Sequence, residues 1–215
     1  MREDLEKQEQ MQNLRAFWET NGKWIIGVAT FVLLGLIFFN AWKFWQIYNK
    51  DEASKILLSV EKNLDAQNID VVSKLIDKIS KEHPGTLQAG LAGLMAAKGL
   101  LSEGNQEKAE SVLRSLVDNQ HVEWLARTRL SGLLLDLNRP GEILNQELIP
   151  KEIPDSWLAI ALDRRGDAHA AMGDFNSARK DWEKALQAYS DFLRNQAAID
   201  FVSRKLATLN ARNTK

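Results

Sequence analysis

Few residues in this 215-residue chain have the types and spacing that chemistry requires. Asp163 and Asp167 stand four apart, which on a helix puts two carboxylates on one face, the arrangement of a general acid–base pair. Arg164 and Arg165 beside them point instead to a solvated charged face. The three histidines, His83, His121 and His169, are far apart in sequence, and there is no cysteine. His83 precedes Pro84 in a turn, His121 follows Asn119-Gln120 in another, and His169 reads as a packed side chain. No metal-ligand cluster, Gly-rich phosphate loop, H-E-x-x-H or G-x-S-x-G motif is found. The expectation is no enzyme, no cofactor, no metal and no small-molecule substrate. Twenty-eight basic against 29 acidic residues leave a net charge of -1, which argues against nucleic acid as a partner. The lack of cysteine removes disulfides, thiol catalysis and a Cys-linked lipid.

If the chain does no chemistry, its elements must carry the function. From Trp24 to Trp42 it reads WIIGVATFVLLGLIFFNAW, 19 residues without a charge. About 20 apolar residues at ~1.5 Å each cross a hydrocarbon core of ~30 Å. Trp18, Trp24, Trp42 and Trp45 bracket the run as an aromatic belt, with Lys23 and Lys43 placed to snorkel to lipid headgroups. The expected organisation is a short tail over 1–23, an interfacial helix or a polar tail with a stop at Asn21-Gly22. A transmembrane anchor over 24–45 and a repeat domain over 46–215 follow. A cleaved signal peptide fits poorly, because its charged region would carry five acids and no A-x-A site follows. Arg2, Lys7, Arg15 and Lys23 before the span balance Lys43, Lys50, Lys55 and Lys62 after it, so charge bias leaves the orientation open.

Beyond residue 46 the pattern is helical throughout, with no Gly or Pro between Gly35 and Pro84. The membrane helix is therefore expected to continue to about Ala66, with Asn49-Lys50-Asp51 as its weakest point. Residues 162–185, LDRRGDAHAAMGDFNSARKDWEKA, place small residues at a helix crossing (Gly166, Ala178) and a turn at Gly173. This resembles a tetratricopeptide repeat. Stepping back finds matching turns at Asn138 and Gly104, and a further one is placed at Asp70. The registers become 51–84, 90–122, 124–154 and 159–190, with a capping helix after Phe192. In the third repeat Pro140 opens the second helix and Pro150 ends it early. The fold class is all-α: one N-terminal transmembrane helix, then a tetratricopeptide-like α-solenoid with a C-terminal capping helix. An unrelated helical bundle is the alternative.

In such repeats the first helix of each hairpin lines the concave face. The registers place Leu94, Lys98 and Leu101 there from the second repeat, Thr128 and Leu135 from the third, and Asp163 and Asp167 from the fourth. The same mapping adds Leu91, Leu125, Gly132, Ile160 and Ala171. This is a candidate groove for a peptide or protein edge; alternatively, several of its apolar residues pack against the next hairpin. The Lys, Arg and Asn clamp of adaptors that grip a C-terminal carboxylate is not supported, because Lys98 has no accompanying Asn.

The stretch from Arg15 to Lys23, RAFWETNGK, is similar to the lead-in to the span in the bacterial YfgM family, with Thr20 standing between Glu19 and Asn21. The layout agrees along nearly the whole chain, including the Arg-Gly-Asp-Ala, Gly-Asp, Ala-Arg and Trp pattern from Arg165 to Trp182. That resemblance implies an ancillary subunit of the Sec translocon in the bacterial inner membrane, with a cytoplasmic N-terminus and periplasmic repeats. It implies the SecYEG translocon, a PpiD-type periplasmic chaperone and membrane lipid as partners. The function expected is a membrane-anchored scaffold recruiting chaperones to translocating proteins. An adaptor for another envelope assembly is the alternative.

Overall fold

The computed structural model describes residues 2–145 and 148–213. Among the described residues there are eight α-helices and no strand. The fold is an all-α solenoid preceded by one long apolar helix. Contacts divide the chain into a unit ending at Asp51 and a second unit from Glu52.

Helix α1 covers Arg2–Asp65. In the first unit it is the one helix, among the described residues, long and apolar enough to cross a membrane, and none of its most apolar 18-residue window is buried. Its polar side chains satisfy themselves locally. Thr20 Oγ1 donates to the Ala16 carbonyl, Asn21 Nδ2 to Phe17 and Asn40 Nδ2 to Leu36. Such back-bonding hides polar groups from an apolar surrounding. The stop expected at Asn21-Gly22 does not occur, and helix continues through it. Asn21 bonds its own helix, and Gly22 lies beneath the Trp18 ring, where an added Cβ would meet ring carbons at 3.2 Å. Helix likewise runs through Asn49-Lys50-Asp51 and through the expected limits of the anchor.

The second unit begins with the end of α1. It continues with α2 (Ile69–Glu82), α3 (Leu87–Ser102), α4 (Gln106–Ser115) and α5 (Glu123–Asp136). Helices α6 (Asp155–Ala171), α7 (Phe175–Ala188) and α8 (Gln196–Asn213) complete it. Each hairpin turns through one left-handed residue: Gln67, Gly104, Asn138 and Gly173. In all four, the amide of the residue after the left-handed one, three places past the last helical residue, bonds the carbonyl five back. These are Asn68 to Asn63, Asn105 to Leu100, Arg139 to Leu134 and Asp174 to His169, at 2.8–2.9 Å. This is a repeated Schellman closure, which satisfies carbonyls the helix end would orphan. Three of the turns match expectation. The first lies at Gln67, not Asp70, which sits in the first turn of α2.

Small residues let the helices cross closely. Ala178 is fully buried. A Cβ on Gly166 would meet Trp182 Cδ1 at 2.5 Å, and one on Gly99 would meet Leu64 Cδ2 at 2.4 Å. The apolar faces close into three clusters: α1, α2 and α3 around Val60, Val72 and Ile79; the middle of the unit around Leu113, Leu130 and Leu134; and α6, α7 and α8 around Trp182, Ala185 and Val202.

One expectation is corrected here, and one boundary is sharpened. Among the described residues the second helix of the third repeat does not form: a 3-10 turn, Pro140–Glu142, stands in its place. Arg139, where the other hairpins carry Asn or Asp, has no oxygen to cap a helix. Of the described residues that follow, Ile143, Leu148 and Ile149 are buried outside any helix. The capping helix begins at Gln196, after a π-helical turn at Tyr189–Leu193 and a left-handed Arg194. Phe192 precedes it and is exposed.

Candidate partner groove on the repeat domain

The first helices of the second, third and fourth hairpins, α3, α5 and α6, wall a cavity of about 400 Å³. Lys98, Leu101 and Thr128, expected on this face, line it together with Gly132 and Ile160. A second cavity, about 350 Å³, opens beside the end of α1 and the start of α2. Lys98 lines both.

Leu94, Leu135, Asp163 and Asp167 do not line the cavity. Leu94 is only 3% exposed and belongs to the central core, and Leu135 packs half-buried against the same core. Asp163 and Asp167 are not a solvated face. Lys205 Nζ, from α8, donates to Asp163 Oδ1 at 2.7 Å and to Asp167 Oδ1 at 2.6 Å. The Trp182 indole donates to Asp167 Oδ1 at 3.1 Å, and the Lys205 ammonium lies over the Trp182 and Phe201 rings. Burial pushes the Asp163 carboxyl above its ordinary range; the Asp167 charge adds to this, and the Lys205 hydrogen bond opposes it. The same burial, with the Asp163 charge, pushes the Tyr189 hydroxyl up to about 12.

Charge lines the cavity where a single column of positions did not suggest it. Arg129, Arg164 and Asp136 stand in its wall with Ala97, Leu113 and Leu133. Counted back from the left-handed turns, Arg129 and Arg164 occupy the same place, nine residues before Asn138 and Gly173. That repetition was the signal available in the sequence. It was missed because a one-in-four column follows a straight line, whereas the wall takes adjacent residues such as 97 with 98 and 128 with 129. Arg129 Nη1 is held by the Leu94 carbonyl at 3.2 Å, and Arg164 Nη1 lies 3.7 Å from Asp167 Oδ2.

Two further ion networks brace the scaffold. Arg165 holds Asp181 of α7 through both of its oxygens at 2.7 Å, with Asp181 buried. His169 stands near Asp174 and Asp181, at 3.6 and 3.8 Å, as a packed side chain of this cluster. Between the second and third repeats Glu110, Arg114, Arg139 and Glu142 form a closed ring of ion pairs tying α4 to the 3-10 turn.

In the first unit, Trp18, Trp24, Lys23, Trp42, Lys43 and Trp45 are all exposed, Trp24 to 77%. The Trp42 and Trp45 rings contact each other with centroids 5.6 Å apart. Among the described residues no group of three His, Asp or Glu side chains is placed to hold a metal ion.

Comparison with known proteins agrees with this architecture. A family described as "Tetratricopeptide repeat-like domain" matches residues 15–211. An "Ancillary SecYEG translocon subunit" of Neisseria gonorrhoeae is 26% identical over 187 residues, covering 85% of this chain and 88% of that protein. The protein of the same description from Escherichia coli is 25% identical over 185 residues, covering 84% and 87%. That from Haemophilus influenzae is 24% identical over 200 residues, covering 91% and 96%. The chain belongs to the tetratricopeptide repeat-like family, and within it to the YfgM proteins that its tail and fourth repeat resemble.

Proposed function

We propose that this protein is a single-pass scaffold of the bacterial inner membrane, ancillary to the Sec translocon, which recruits a PpiD-type chaperone to translocating chains by protein–protein contact. The observation that carries the reading is the extent of the match. It begins at residue 15, ahead of the apolar stretch, and runs to residue 211, so tail, span and repeats are alike together. Relatives matched over 84–91% of the chain are described as translocon subunits.

Physical chemistry supports the anchor. A helix whose most apolar window is wholly uncovered would expose far more contiguous apolar surface than a soluble monomer carries. Lipid is the surrounding that removes this cost, with Trp18, Trp24, Trp42 and Trp45 at the interfaces and Lys23 and Lys43 reaching the headgroups. In this reading residues 1–23 are a cytoplasmic tail, 24–45 the anchor and 46–215 the periplasmic repeats. The groove along α3, α5 and α6 is the partner surface, and the protein acts by binding, without catalysis.

Co-purification of the full chain from membranes in a mild detergent tests the proposal. Recovery of SecYEG and a periplasmic chaperone with it is the expected result. Recovery of neither, with a different envelope assembly in their place, would overturn it.

A further inference from the structure

We propose that the two cavities sharing Lys98 form one charge-polarised groove, which takes an extended polypeptide segment with acidic side chains at one end, basic side chains at the other and apolar ones between. The proposal rests on the reading of this face as the partner surface and states what that partner must look like.

The two ends differ in charge. At the α5 and α6 end the wall carries Arg129 and Arg164 against a single acid, Asp136. At the α1 and α2 end it carries Glu61, Asp65 and Glu103, with Lys98 between the two. Among the described residues, Lys98, Glu61, Asp65 and Glu103 make no ion pair within the chain. Among the charges stand apolar side chains, Leu101 and Ile160 in one cavity and Leu64, Ile69 and Met95 in the other, with Thr128, Gln67 and Ser102 as the uncharged polar lining. Opposed charges at the ends of an apolar trough fix the register of an occupant and raise its encounter rate.

The occupant is extended because of size. One helical turn with side chains, ~10–12 Å across and ~5.4 Å long, fills roughly 400–600 Å³. Cavities of about 400 and 350 Å³ each hold at most a single turn, so they receive side chains from a segment laid across them.

The fourth repeat shows this face recognising a charged side chain. Ten and six residues before the Gly173 turn, Asp163 and Asp167 clasp Lys205 of α8. The equivalent positions before the Asn138 turn are Thr128 and Gly132, which line the cavity. The proposed segment lies on the same face, continuing from where Lys205 docks.

The test uses the full chain in an uncharged detergent and a fluorescent octapeptide. The peptide carries two glutamates at one end, two lysines at the other, and alternating leucine and serine between. Two control peptides replace the glutamates by lysines or the lysines by glutamates. At low salt the parent peptide should bind most tightly, each control about fivefold more weakly, and the difference should shrink as salt rises. Arg164→Glu should shift preference to the all-lysine peptide, and the double substitution Glu61→Lys with Asp65→Lys to the all-glutamate peptide. Arg164→Gln should abolish discrimination at that end without reversing it, which separates loss of charge from loss of fold. Equal affinity for all three peptides, or a preference that does not follow the substituted end, would overturn the proposal. The peptide measurement uses no translocon. A correct charge swap with failed co-purification would therefore sink only the translocon reading, and the reverse result only the polarised groove.

Discussion

The third and fourth repeats use the same turn and reach different ends. Both close their first helix with a left-handed residue and the same Schellman bond, at Asn138 and at Gly173. Past Gly173, Asp174 Oδ1 accepts the Ser177 amide and a helix of 14 residues follows. Past Asn138, the Arg139 side chain has no oxygen to accept an amide, Pro140-Gly141 follows, and among the described residues a 3-10 turn is all that forms before α6. A closed helix end is thus not enough to start the next helix; its first turn also needs an acceptor for orphan amides and residues that favour continuation. The two repeats are then held by different forces. The fourth depends on interlocked shape, with Trp182 against Gly166 and a buried Arg165–Asp181 pair. The third depends on a partly exposed charge ring shared with α4 of the second repeat and on the burial of Ile143, Leu148 and Ile149.

The largest effect that separates them is the loss of Trp182. Its side chain fills the crossing of α6 and α7 and donates to Asp167. Trp182→Ala should destabilise the repeat domain by about 3–5 kcal/mol. Thermal unfolding of the full chain followed by circular dichroism reads this out. A melting temperature near that of the parent would mean the fourth repeat is not held by shape.

A smaller contrast comes from adding one methyl group in each repeat. At Gly166 the new Cβ has no room, since Trp182 ring atoms lie at 2.5 and 2.6 Å, so Gly166→Ala should cost about 1–3 kcal/mol. At Gly132 nothing lies nearer than the Arg164 guanidinium at 3.9 Å. Gly132→Ala in the interior of α5 should therefore be neutral or stabilise by about 0.5–1 kcal/mol, through helix propensity. Equal costs at the two sites would break the comparison.

These sites also show what was legible in the sequence. The turns at Gly104, Asn138 and Gly173 were visible because a left-handed residue selects Gly or Asn strongly. The first turn was misplaced because Gln67, a residue with no such preference, carries it. The lost helix was half legible: Pro140 reads as a helix start, and only the missing cap at Arg139 speaks against it. Of the groove, Lys98, Leu101 and Thr128 were reachable from helix period alone. The role of Asp163 and Asp167 was not, because their partner Lys205 lies 42 and 38 residues away on a helix whose docking no local pattern encodes.

The smallest expected effect concerns acid, and its sign differs between the repeats. For Glu110, partial burial works against ionisation, but hydrogen bonds from Arg139 and Arg114 outweigh it and hold the carboxyl below its ordinary value of 4.5. Glu142 is lowered as well, first by the Arg139 hydrogen bond. A carboxyl lowered by folding contributes stability that is complete above its unfolded pKa and is lost as pH falls through the folded one. The ring joining the second and third repeats therefore weakens below about pH 4.5. Asp163 behaves in the opposite way. Burial raises its pKa above 3.8, so the folded state takes up the proton first and gains stability relative to the unfolded chain as pH falls through the raised value. Melting temperatures between about pH 3 and 7 should then respond in opposite directions to two neutralising substitutions. Glu110→Gln should flatten the acid loss, because the group that must be protonated is gone. Asp163→Asn should steepen it, because the compensating uptake is gone. If both substitutions changed the acid slope in the same direction, the charge ring and the Lys205 clasp would not be the opposed electrostatic environments that their geometry describes.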